Sequence, residues 1–328
     1  MSESTNRRRV ETAPGVELDL LDSGAGPERT VVLLHGFPET SHSWRHQIKP
    51  LVDAGLRVIV PDQRGYGDSS RPDDTSHYRA DHLTGDIAAL LDDAEVERAI
   101  IVGHDWGSIV AWHMAQLHPE RCASVIAASV PWTPWPMAPT ELLRAVHGDD
   151  FFYILHFQQP RVAEAEMHRD VRRFLLSIIW AAAAESHPTR DRSPLPASGT
   201  TVTEAFEHQS GGRRTSPPPW LSEAELQVYV SQFERSGFNG PVDWYRNFDP
   251  NHDLTAPLGA SPITMPTFFV AGSLDPVIHG RDDYLARMDS DLADHRDTVL
   301  IPGAGHWVQQ EAPGEFNRVL IDFIARSV

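Results

Sequence analysis

The stretch VGHDWGS (102–108) decides how the chain is read. It has the spacing of a nucleophile elbow, the sharp turn that lifts one side chain above the end of a strand where a helix begins. Such elbows ordinarily carry serine, but the central residue here is Asp105. Just upstream, AIIVGH (99–104) is nearly continuous in apolar and β-branched residues, as a strand buried on both faces must be. TVVLLHG (30–36), LRVIVPD (56–62), ASVIAASV (123–130), TFFVAGSLD (267–275) and TVLIPGAGH (298–306) share that character. Amphipathic segments at 42–54, 80–94 and 108–118 separate the first four runs. Strand alternating with helix implies right-handed crossovers and a mostly parallel sheet, an α/β fold.

The alternation breaks at PWTPWPMAP (131–139), and from 141 to about 238 the pattern is helical. FLLSIIWAAAA (174–184) is about half the length that spans a bilayer, so a buried helix is expected there. HPTRDRSPLPASGTTVT (187–203) and QSGGRRTSPPP (209–219) are expected to be surface loops. The α/β pattern resumes at 267 and closes with a helix over 312–325. The expected organisation is a core in two parts, 1–133 and 251–328, with a helical lid over 134–250. There is no internal repeat.

With 41% apolar and 23% charged residues, the composition is that of a soluble globular protein. Its net charge of −18 disfavours nucleic acid and anionic membranes as partners. The single cysteine, Cys122, cannot form an internal disulfide and is expected to pack as a small apolar residue. No Cys/His cluster has zinc spacing. The first residues, MSESTNRRRVETAPGVELDL, lack the apolar stretch of a secretory signal, so a cytoplasmic location is expected. A homo-oligomer is compatible with the sequence.

In open parallel sheets, sites form where loops leave the carboxyl ends of the strands. Asp105, Asp275 and His306 each fall at such an end. Singly, each has a plainer explanation. Asp105 could cap the following helix, Asp275 before Pro276 could be a turn residue, and His306 is one of 17 histidines. Jointly they have the order nucleophile, acid, histidine that catalytic triads of α/β-hydrolases follow. HGFP (35–38), directly after VVLL, matches the loop that supplies one oxyanion-hole N–H, with the residue after the nucleophile supplying the other. Here those donors would be the backbones of Phe37 and Trp106.

HGFPE, DQRGYGDSSRP, GHDWGS, FQQPRVAEAEM, YRNFD and GAGHWVQQEAP together resemble the soluble epoxide hydrolases of the α/β-hydrolase fold. The resemblance runs from about Arg8 to Phe323, although 185–219 matches no family pattern. Where the family often has Gln-Glu-Pro-Gly, this chain has Gln158, Gln159, Pro160 and Arg161. Of six tyrosines, Tyr153, Tyr229 and Tyr245 fall in the lid region, and position alone does not choose among them. The resemblance chooses Tyr153, which begins a Tyr-x-x-x-Phe-Gln stretch, and Tyr245, which precedes Arg-Asn.

The resemblance implies two-step hydrolysis of an epoxide to a vicinal diol. Asp105 would open the ring, with Tyr153 and Tyr245 activating its oxygen, and form an ester. Water activated by His306 and oriented through Asp275 would then cleave that ester. Phe37 and Trp106 would also touch the substrate, and no metal or cofactor is needed. Haloalkane and haloacetate dehalogenases share HGFP and GHDWG and are the nearest alternative. Haloalkane dehalogenases, however, place asparagine as a halide donor where this chain has Phe37. A non-catalytic receptor on the same fold is a third reading. In the loop DQRGYGDSS, Asp62, Arg64 and Asp68 are expected to form an internal ion-pair and turn network. His104 is expected to hydrogen-bond locally, and Trp132, Trp135 and Trp180 fit pocket walls or core packing equally well.

Overall fold

The computed structural model describes residues 6–24, 29–280 and 282–327, and in it the apolar runs form one sheet. Its strands are β1 (Asn6–Ala13), β2 (Val16–Asp22), β3 (Thr30–Leu34), β4 (Arg57–Pro61), β5 (Ala99–His104), β6 (Cys122–Ala128), β7 (Thr267–Gly272) and β8 (His295–Ile301). They lie in the order β1-β2-β4-β3-β5-β6-β7-β8. The β1/β2 and β2/β4 pairs are antiparallel and all others parallel.

Successive side chains of the central strands point to opposite faces, so one strand serves two cores. Val32, Leu34, Ile59 and Ile101 belong to a layer shared with helices Ala80–Asp93 and Trp106–Leu117 and with the lid. Val31, Leu33, Val58, Val60 and Val102 belong to the other, covered by Leu51 of helix Arg45–Asp53 and by Phe316, Leu320 and Phe323 of helix Pro313–Arg326.

The β1–β2 hairpin is a feature that the apolar pattern does not announce. β1 is the sheet edge and reads NRRRVETA, with Val10 its one buried position. Charge along an edge is how a sheet avoids pairing with another chain. Arg7 reaches Asp62 at 2.7 Å and Arg8 reaches Asp22 at 3.0 Å. At the opposite edge, β8 begins at His295, ahead of its apolar TVLI, and is only partly buried.

Between β6 and β7 the regular elements are helical, from Pro139–His147 to Phe248–Thr255, and form the lid. Helix Val171–Ala182 contains most of the 174–184 run and buries Phe174, Leu175, Leu176 and Ile178. The expected loop over 187–203 needs correction, because helix Val202–Gln209 begins within it. Thr201 and Glu204 form a reciprocal capping box that starts it, a Thr-x-x-Glu signal masked by flanking Pro, Ser and Gly. Among the described residues, no helix is long and apolar enough to cross a membrane.

Cys122 is buried and unpaired, and burial pushes its thiol up to about 12. Arg64 lies 2% exposed and forks onto Asp86 with bonds of 2.8 and 2.6 Å, while its third nitrogen donates to the His77 carbonyl at 2.9 Å. Asp62 accepts the Ser41 N–H at 2.7 Å. Asp68 is not internal as expected. It sits at the surface, 3.4 Å from Arg235. Arg64→Leu should cost about 3–5 kcal/mol, because Asp86 would remain buried without its cation. The urea midpoint measures this, and a midpoint equal to the parent's would refute it.

Candidate active site

The elbow is built by glycines. A Cβ on Gly103 would overlap the Gly107 carbonyl, and one on Gly107 would overlap the Leu34 carbonyl of β3. Strand, turn and helix can therefore approach only with hydrogen at both positions. Between them Asp105 is held at φ 53°, a region that costs a non-glycine residue about 1–3 kcal/mol. Ser108 secures the turn, its hydroxyl donating to the carbonyls of Gly103 and Ala128 at 2.8 Å each.

The carboxylate of Asp105 sits where helix Trp106–Leu117 begins, and one oxygen accepts the Phe37 N–H at 2.8 Å. Asp275, three residues past β7, is fully buried and accepts the Val277 N–H at 2.8 Å. His306, five residues past β8, places Nδ1 3.2 Å from both Asp275 oxygens and Nε2 3.5 Å from Asp105. Burial works against a charged imidazole, but Asp275 and Asp105 together hold the His306 pKa well above the ordinary histidine value. Burial likewise works against the Asp105 carboxylate. The His306 bond and charge, His104 and the Phe37 N–H outweigh it and keep the pKa below the usual carboxylate value. The resting pair is therefore an Asp105 carboxylate against a His306 imidazolium.

Two residues beneath the site escaped the sequence reading. Glu39, last of HGFPE, is buried and accepts from Gly36 N, His104, and the side-chain amides of Gln309 and Gln310. His104 bridges Glu39 to the His306 carbonyl, at 2.8 Å on each side. Glu311 accepts three backbone N–H groups, from Gly305 at 2.8 Å, Trp307 at 2.9 Å and Ala184 at 3.0 Å. It thereby ties the loop carrying His306 to the end of the lid helix, and burial raises its pKa to about 7. Only the spacing of GHWVQQE could have hinted at this.

A cavity of about 890 Å³ lies above Asp105, within the range of small-molecule sites. Tyr153 and Tyr245 both line it, their ring centroids 5.8 Å apart. Tyr245 stands edge-on to Trp106 at 5.0 Å and to Phe37 at 5.4 Å. Burial, then the neighbouring Tyr153 and Asp105, raise its pKa well above the usual phenol value, so it stays protonated. Tyr229 is not brought to the cavity. It packs against His42 and donates to Gln310 at 3.2 Å. Trp132 and Trp135 line the cavity, whereas Trp180 turns outward, its indole donating to the Ser216 carbonyl and stacking under Arg214.

The geometry can be set beside known proteins. A family model described as alpha/beta hydrolase fold matches residues 29–313. Epoxide hydrolase A of Mycobacterium tuberculosis is 42% identical over 318 residues, covering 96% of each chain. The chain belongs to the epoxide hydrolases of the α/β-hydrolase fold. Epoxide hydrolase B of M. tuberculosis is 36% identical over 90% of each chain. The crystal structure of epoxide hydrolase A from Mycobacterium thermoresistibile superposes with a TM-score of 0.88 at 42% identity, covering 98% of both chains. An epoxide hydrolase from an endophytic Streptomyces reaches 0.90 at 36% identity, covering 99% of this chain and 96% of its own. The protein is a hydrolase acting on epoxides, and this epoxide hydrolase carries a helical lid over a mostly parallel sheet.

Proposed function

We propose that this epoxide hydrolase works through a covalent ester on Asp105, in a site closed by the lid, whose end moves from 250 to Thr255 so that helix Phe248–Thr255 stays whole. The observation that carries the reading is the ionised Asp105, held at the cavity floor with His306 behind it and two tyrosines lining the same space. An epoxide offers no carbonyl. Its ring carbon must be displaced, and a carboxylate needs no base to act on it. One Asp105 oxygen bonds to the ring carbon as the carbon–oxygen bond breaks, and the departing oxygen takes a proton from Tyr153 or Tyr245.

Esterification removes the charge of Asp105, and with it one of the two carboxylates that keep His306 protonated. The His306 proton passes to the tyrosinate left by ring opening, which restores the phenol and leaves a neutral imidazole as the base the second step requires. It takes a proton from water, and the hydroxide attacks the Asp105 carbonyl carbon. Backbone N–H groups of Phe37 and Trp106 receive the oxyanion. Collapse expels the diol, which takes its proton from His306, and the Asp105 carboxylic acid so formed then passes its own proton to His306, restoring the resting pair. The Phe37 side chain has no N–H to hold a halide, which weighs against dehalogenation.

A single turnover in heavy-oxygen water tests the ester. The label is expected in the Asp105 peptide and absent from the diol. Label in the diol with Asp105 unlabelled would mean that water attacks the ring directly, and would end the proposal.

A further inference from the structure

Beyond Asp105 the cavity extends along helix Trp106–Leu117, where Ile109, Trp112, His113 and Gln116 line it. Their spacing is one helical face. Asn251 and Thr255 line the same cavity from helix Phe248–Thr255, which packs against this helix. Most polar groups along this arm are already engaged. Trp112 Nε1 donates to the Val130 carbonyl at 3.2 Å, and the Thr255 hydroxyl donates to the Asn251 carbonyl at 2.8 Å.

His252 Nδ1 is buried without a hydrogen-bond partner, and His113 and Asn251 each keep one open position among the described residues. Gln116 Nε2 donates to the Gly259 carbonyl at 2.8 Å, and since a carbonyl can only accept, the orientation of that amide is fixed. Its oxygen therefore turns to His113 Nδ1, 3.1 Å away, which must carry the ring hydrogen. Burial lowers the His113 pKa to about 4, so the ring is neutral at pH 7 and Nε2 presents a lone pair. No described residue donates to that nitrogen. Asn251 is 3% exposed and is fixed in the same way, because its side-chain oxygen accepts the Ala80 N–H at 2.7 Å. Its Nδ2 is left as a donor without an acceptor among the described residues.

We propose that this arm is a hydroxyl-binding subsite, with His113 Nε2 accepting from and Asn251 Nδ2 donating to an alcohol on the substrate. A carboxylate cannot donate to Nε2, and an ammonium cannot accept from Nδ2, whereas a hydroxyl does both. Seven residues separate Trp106 from His113, a rise of about 10 Å along the helix, which sets the scale of the spacer between ring and hydroxyl. The substrate class is then an epoxide with apolar substituents near the ring and an alcohol on the longer arm. The proposal rests on Asp105 being the reacting carboxylate.

The test is kcat/KM for a chain-length series of terminal epoxides ending in either methyl or hydroxymethyl. At the matching length the hydroxymethyl compound should be favoured about five- to tenfold. His113→Phe should reduce that ratio to about one, and His113→Gln, which can still accept, should restore part of it. A parent enzyme with no hydroxyl preference at any length overturns the proposal without any substitution. A preference that survives His113→Phe overturns the assignment to this arm. Failure of the underlying reading is separable, because it would show as turnover of the methyl series by Asp105→Asn.

Discussion

His306→Gln should turn this epoxide hydrolase into a single-use reagent. Mixed with an epoxide, the variant is expected to gain the full mass of the substrate on its Asp105 peptide, while diol release falls by about 10²–10⁴. Glutamine can still hydrogen-bond Asp275 but cannot take a proton from water, so the second step loses its base and the first is spared. Without the imidazolium, His104 and the Phe37 N–H still offset the burial of Asp105 in part, so ester formation continues. Asp105→Asn should show neither adduct nor diol. An unmodified Asp105 peptide in the His306 variant would sink the two-step chemistry. A pH signature accompanies the prediction. Two carboxylates raise the His306 pKa in the free enzyme, but only Asp275 does so in the ester. The acid limb of kcat should therefore lie at lower pH than the free-enzyme histidine pKa found by direct titration. Coincidence of the two would mean that Asp105 keeps its charge through the cycle.

Much of the fold could be read from strands such as AIIVGH and TFFVAG, because a strand buried on both faces has no choice but to be apolar throughout. The β1–β2 hairpin could not, because an edge strand held by arginine–aspartate pairs carries little apolar periodicity. Helix Val202–Gln209 was legible in its capping box but lay among loop-forming residues. At the site, chain order alone set Asp105, Asp275 and His306 at strand ends, since topology is written along the sequence. Which lid tyrosines reach the cavity was different. Position along the chain did not separate Tyr229 from Tyr153 and Tyr245; only the resemblance did, because turning Tyr229 toward Gln310 is a property of lid packing. The contacts of Glu311 with Ala184 and of Gln116 with Gly259 span more than a hundred residues, and no local pattern encodes either one.

Replacing both lid phenols should remove ring opening almost entirely. Tyr153→Phe or Tyr245→Phe alone is expected to slow ester formation by about tenfold, and the double variant by about 10³–10⁴. The loss should exceed the product of the single effects, because either hydroxyl can hold the departing oxygen while the other is missing. The substitution is mild for packing. Tyr245 keeps its edge-on contacts with Trp106, Phe37 and Phe157, whose centroids lie 5.0, 5.4 and 5.0 Å away, and all three are ring contacts. Rapid-mixing measurement of ester formation separates this loss from the later hydrolysis, in which the phenols have no part. Hydrolysis of ester already formed should therefore proceed at the parent rate in each single variant. Full-rate ester formation in the double variant would refute proton donation by these tyrosines and leave the alkoxide to depart without an acid. Strained rings can do so only slowly at neutral pH, because the leaving group is then a bare alkoxide inside an aromatic-walled cavity, where an unpaired charge is costly.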